Sequence, residues 1–162
     1  MKKIIKTSTQ TKDYILDEVF HEGAFQYCCF GRSPRKYAFI PKFPDMYEPL
    51  ENYEDIKNKI FFLPEKPEEY NSEEELDNLI LEHLSYYDYP ENYKKLDIAY
   101  IKLTWLSDFL ETVPYRRALG DWGTGKSRWL ECMVTLCRNG FKQGATATQV
   151  ITFRKLDLYD GT

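Results

Sequence analysis

The chain has 162 residues, 43% of them hydrophobic and 16% aromatic, and a formal net charge of −4. That is apolar material for one ordinary globular domain and excludes a disordered chain. No apolar run approaches the ~18 residues that a bilayer span needs, and the acidic balance argues against a protein that coats nucleic acid.

Charge is unevenly placed. Residues 41–97 hold sixteen acidic side chains against six lysines, whereas 1–40 carry seven basic against four acidic and 98–162 nine against six. The acidic stretch reads as a solvated face, so a DNA partner would have to meet the basic ends. The N-terminal Met1-Lys2-Lys3-Ile4-Ile5-Lys6 lacks the apolar core of a signal peptide, which makes the cytoplasm the expected compartment. The four cysteines (Cys28, Cys29, Cys132 and Cys137) and two histidines (His21 and His83) show no zinc-ligand spacing and read as reduced and structural.

In chain order, Tyr14–Phe20, Ala24–Phe30 and Lys36–Ile40 are aromatic and β-branched runs separated by turn residues, the pattern of an antiparallel meander. The basic turn with Arg32, Arg35 and Lys36 is either a soluble hairpin tip or a nucleic-acid contact. Residues 41–70 form an acidic, proline-rich connector with one strand expected at Lys59–Leu63. Ser72 and Glu75 predict a capping box that starts a helix with Leu76, Leu79, Ile80, His83 and Leu84 on its apolar stripe. A second helix is expected from Glu91 to Leu110, with Leu96, Ala99, Tyr100, Leu103, Leu106 and Leu110 facing the core and Pro114 beyond its end.

Gly120-Asp121-Trp122-Gly123-Thr124-Gly125-Lys126-Ser127 fits G-x-x-x-x-G-K-[ST], the phosphate-cradling loop. Glycines let successive backbone N–H groups point at one anion, Lys126 would reach the β- and γ-phosphates, and Ser127 would offer its hydroxyl to Mg²⁺. Thr124 and Arg128 would contribute at the edge. Composition alone yields such a match about once in a few hundred chains of this length, so its setting matters. Tyr115–Leu119 is expected as the preceding strand, despite Arg116 and Arg117, and Trp129–Cys137 as the following helix, stopped by Asn139-Gly140. A short strand up to Gln143 and a helix within Ala145–Tyr159 complete the reading.

The expected architecture is α/β: a β-rich region over 1–70, a helical segment over 71–112, and over 113–162 the start of a three-layer P-loop core. Hydrolysis requires an apolar strand that ends in an acidic residue, and none follows Ser127; the expectation is an N-terminal fragment that binds nucleotide without hydrolysing it. The run from Val113 to Arg128 resembles a group of poorly characterised P-loop ATPases of archaeal and bacterial genomes and mobile elements, with their L-P-Y-x-R-A-L-G-D-x-G-T-G-K-S-R signature. Leu63-Pro64, Pro67, Glu69-Tyr70, Leu103-Thr104-Trp105, Leu136-Cys137, Gly144-Ala145-Thr146 and Ile151–Arg154 look like further landmarks, so the resemblance covers about residues 60–162. In that family the Gly161-Thr162 pair precedes the strand carrying Asp-Glu-Ala-Asp. The resemblance implies an ATPase of the AAA+ or helicase-like kind, with ATP and Mg²⁺ as ligands, DNA as a partner of the full-length protein and a ring-forming homo-oligomer.

A different class of function is also open. Residues 1–112 could form an interaction module that docks protein or nucleic acid, with the loop as a non-functional remnant. A small-molecule kinase fits less well, because no arginine-rich lid is readable.

Overall fold

The computed structural model describes residues 4–5, 7–43, 47–144 and 148–159. Short strand β1 (Ile4–Ile5) pairs in parallel with β6 (Tyr47–Glu48). Between them in sequence lies an antiparallel sheet of β2 (Ser8–Gln10), β3 (Tyr14–His21), β4 (Ala24–Arg32) and β5 (Arg35–Ile40), in that spatial order. The expected meander is thus present, with β2 as an added edge strand. Register runs from Tyr14↔Gly31 to His21↔Ala24, and Glu22 and Gly23 close the hairpin, both at positive φ. Two successive positive-φ residues match the right-handed twist of the flanking strands. Leu16, Glu18, Phe25 and Tyr27 share one face by strand alternation and are all buried.

The sequence reading is corrected at several points of local structure. Lys59–Leu63 is no strand: Lys59 has φ of 53°, and Phe61 makes a single antiparallel bridge to Phe141. The two short strand candidates meet each other there, through Phe62 N–H to the Gly140 carbonyl (3.1 Å) and Lys142 N–H to the Ile60 carbonyl (2.6 Å). Beyond the end of β2, the Pro64 carbonyl covers the edge of β3 by accepting from Phe20 N–H at 3.0 Å. After the short helix α1 (Tyr53–Lys57), α2 (Glu73–Ser85) begins where Ser72 Oγ accepts from Glu75 N–H (3.1 Å). The reciprocal bond is displaced by one residue, because Glu75 accepts from the backbone and side-chain N–H of Asn71 rather than from Ser72. Those bonds hold the Glu75 carboxyl below its ordinary pKa.

Helix α3 (Glu91–Thr104) is shorter than expected, and a separate 3-10 turn covers Ser107–Phe109. Its buried face is also a different one. Asp97, Ile98, Ile101 and Thr104 are inside, whereas Leu96 is 53% and Leu106 52% exposed. The apolar stripe lost to a face whose polar members, Asp97 and Thr104, find hydrogen-bond partners.

Helix α4 (Lys126–Leu136) completes the helical layer, and Ile80, Leu84, Ile98, Ile101 and Met133 form its core. Asn139-Gly140 lies just past the end of α4, as expected. A Cβ on Gly140 would lie 2.0 Å from the Val134 carbonyl oxygen, so only glycine allows this close return. The last helix, α5 (Gln149–Tyr159), falls within the expected Ala145–Tyr159, while Ala145–Ala147 and the Gly161-Thr162 landmark lie outside the described residues. No helix among the described residues is long and apolar enough to cross a membrane.

The fold class is mixed α/β. The parallel three-layer sheet expected around the P-loop is not seen among the described residues, where the one extensive sheet is antiparallel and lies in the N-terminal region. Tyr115–Leu119 forms no strand, since it has no neighbouring strand to share a hydrogen-bond ladder with.

Candidate phosphate-binding loop

Residues 120–125 form an exposed loop that enters α4 directly, with Gly125 as N-cap. Gly123 and Gly125 both have φ of 81°, and open space surrounds the position of a Cβ at each. These glycines are therefore required by backbone conformation, because a left-handed turn penalises any side chain. No side chain caps the helix. Its first-turn N–H groups and dipole thus face the loop without a built-in anion.

Lys126 folds back over this loop. Its Nζ donates to the Gly120 carbonyl (2.8 Å), to Thr124 Oγ1 (3.1 Å) and to the Asp121 carbonyl. Thr124 Oγ1 in turn donates to the Asp121 carbonyl at 2.9 Å. The structure therefore brings Gly120, Thr124 and Lys126 together, with Gly123 and Gly125 shaping the turn between them. Ser127 and Arg128 are exposed on the first turn of α4, and Trp122, at the tip, is fully exposed.

A Mg²⁺ ion fits this loop only in company with a nucleotide. Ser127 supplies one hydroxyl, and no group of three or more His, Cys, Asp or Glu side chains placed to hold a metal occurs among the described residues. Mg²⁺ in nucleotide sites takes few protein ligands and keeps phosphate oxygens and waters, so one hydroxyl is compatible with that mode.

The sequence reading missed what supports the loop. Asp97 on α3 is fully buried. Its Oδ2 accepts from the Tyr89 hydroxyl (2.8 Å) and from the Trp129 indole N–H (2.9 Å), and its Oδ1 is paired with the Arg116 guanidinium. Three donors, one of them charged, offset the cost of burying a carboxylate. Burial, ahead of the bond to Asp97, pushes the Tyr89 hydroxyl well above its ordinary pKa. The arginine that was anomalous in an expected buried strand thus has its explanation: Arg116 reaches a buried acid on α3. A signal existed in the sequence, in that Asp97 shares a helical face with Ile101 and Thr104 at four- and three-residue steps.

A cleft of about 840 Å³ opens elsewhere, between the β3–β4 hairpin, the connector, the end of α2 and one side of α4. Phe20, Phe61, His83, Tyr87, Cys132 and Lys142 are among its lining residues, and no residue of 120–128 is. The loop is a surface feature and that cleft is not its pocket. Compared with known protein families, curated proteins and solved structures, the chain matches none.

Proposed function

We propose that the chain binds Mg·ATP through residues 120–127, as the nucleotide-binding part of a P-loop ATPase of AAA+ or helicase-like kind that acts on DNA. One observation carries the nucleotide-binding part: the eight-residue motif forms a left-handed glycine turn that runs straight into an uncapped helix N-terminus, with the Lys126 ammonium drawn across it. The DNA-directed role rests on the resemblance of residues 113–128.

In this reading each residue has a defined task. Gly123 and Gly125 keep the backbone in the turn that aims N–H groups inward, and the α4 dipole favours the same anion. Lys126 already holds its charge over the loop on the Gly120 and Asp121 carbonyls and the Thr124 hydroxyl, and exchanges those acceptors for phosphate oxygens. Bound Mg²⁺ supplies charge neutralisation between phosphate groups. Ser127 offers its hydroxyl to that ion, while Thr124 and Arg128 border the phosphates.

The test is a titration of a fluorescent ATP analogue in Mg²⁺ buffer against wild type and Lys126→Ala. Loss of one charge-assisted hydrogen bond predicts at least about tenfold weaker binding for the variant. Equal affinities would sink the assignment.

A further inference from the structure

The phosphate loop lacks the support that a paired strand gives. Its upstream flank, residues 112–121, contains neither helix nor strand, and its motif residues are mostly exposed. Yet the chain on its two sides is fixed to one point. Arg116 lies just before the loop and Trp129 just after Ser127, and both donate to the buried Asp97 carboxylate. Tyr89, ahead of α3, donates to the same carboxylate oxygen as Trp129.

We infer that Asp97 is the positioning residue of the phosphate loop, acting through Arg116 and Trp129, so that a buried carboxylate does here what a buried strand does in a sheet. The inference rests on the phosphate-binding reading of 120–127. The physical argument is conformational. A free segment of this length samples many end-to-end separations, and only a fraction of them aim its N–H groups at one anion. Fixing both flanks to one carboxylate raises the binding-competent fraction, and apparent affinity scales with that fraction. Asp97 touches no phosphate in this scheme; its effect passes through the two flanks.

The experiment uses the full chain with Asp97→Asn, Trp129→Phe, their combination, and Lys126→Ala. Two quantities are read: affinity for a fluorescent ATP analogue with Mg²⁺, and hydrogen exchange of the 117–125 amides in ligand-free protein. Trp129→Phe keeps one aromatic ring against the core while deleting the indole N–H donor together with the second ring. Weakening this charged anchor predicts about tenfold weaker analogue binding and about tenfold faster exchange at 117–125 in Asp97→Asn and in Trp129→Phe. Exchange in α2 and in the β3–β4 hairpin stays at its wild-type rate. The combined variant falls short of the product of the two single effects, because both changes loosen one shared anchor. Unchanged exchange at 117–125 in Trp129→Phe overturns the inference, as does a rise spread evenly over the whole helical layer, which marks a merely structural residue. Should Asp97→Asn fail to fold, Trp129→Phe and Arg116→Gln decide by the same two readings. If Lys126→Ala binds the analogue as well as wild type, the nucleotide reading fails, and the exchange data still decide whether Asp97 anchors the loop.

Discussion

Two buried charged centres organise this molecule, and they do different work. In one, the Arg138 guanidinium, 7% exposed, reaches Asp108 (2.9 Å) on the 3-10 turn and Asp17 (3.3 Å) on β3, while its backbone N–H donates to Thr104 Oγ1 (3.1 Å). In the other, Asp97 gathers Arg116, Tyr89 and Trp129. The Arg138 centre joins β3 of the antiparallel sheet to the 3-10 turn and the end of α3. The Asp97 centre holds a segment with little packing of its own. The difference teaches what each charge is for: one ties the sheet to the helices, and on the other the candidate binding loop hangs by a single carboxylate.

The comparison can be broken first at Arg138. Arg138→Met keeps the apolar stem and leaves Asp17 and Asp108 without their cation, which predicts about 3 kcal/mol of lost stability in urea denaturation. A loss below about 0.5 kcal/mol, the range of an ordinary surface change, would show that the sheet and helices do not depend on it.

A second test uses the buried acid on the sheet's core face. Burial, ahead of repulsion from Asp17 and Glu51, raises the Glu18 carboxyl to about 8 from an ordinary 4.5. The folded state then holds a proton that the unfolded state has released, so wild-type stability falls as pH rises from about 4.5 to about 8. Asp17, raised to about 6 mainly by burial and in spite of Arg138, adds the same sign at the acid end of that window. Between about pH 6 and 8 the slope is therefore mostly that of Glu18, and Glu18→Gln should flatten it by roughly 1–3 kcal/mol over the interval. Urea denaturation of both proteins across that range checks the sign; parallel curves would refute the neutral, buried state of Glu18.

The smallest expected effect on stability belongs to the loop. Lys126 bonds only to acceptors of its own loop, so Lys126→Ala should change unfolding free energy by less than about 0.5 kcal/mol while analogue binding collapses. A large stability loss would place Lys126 in the scaffold and erase the contrast between the two centres.

Much of the fold follows from local chemistry that a sequence displays. Tyr14–His21, Ala24–Arg32 and Arg35–Ile40 are strands because β-branched and aromatic runs alternate between turn residues, and Ser72 starts a helix because its hydroxyl satisfies an orphan N–H. The helix after the glycine loop and its end before Asn139-Gly140 were equally legible. Where expectation failed, the presence or lack of a distant partner decided. Tyr115–Leu119 has strand-like composition but no strand beside it, and Phe61 pairs with Phe141 across the chain in a single bridge.

By itself the sequence determined the G-x-x-x-x-G-K-S motif, the meander, the starts of α2 and α3 and the glycines at backbone angles closed to other residues, because each depends on residues a few positions apart. Only the tertiary structure decided which face of α3 is buried and what holds the loop. Leucines at Leu96 and Leu106 outweigh Asp97 and Thr104 in any count of apolar residues. Once Tyr89, Arg116 and Trp129 converge on Asp97, the buried carboxylate is satisfied, and the face that carries it turns inward.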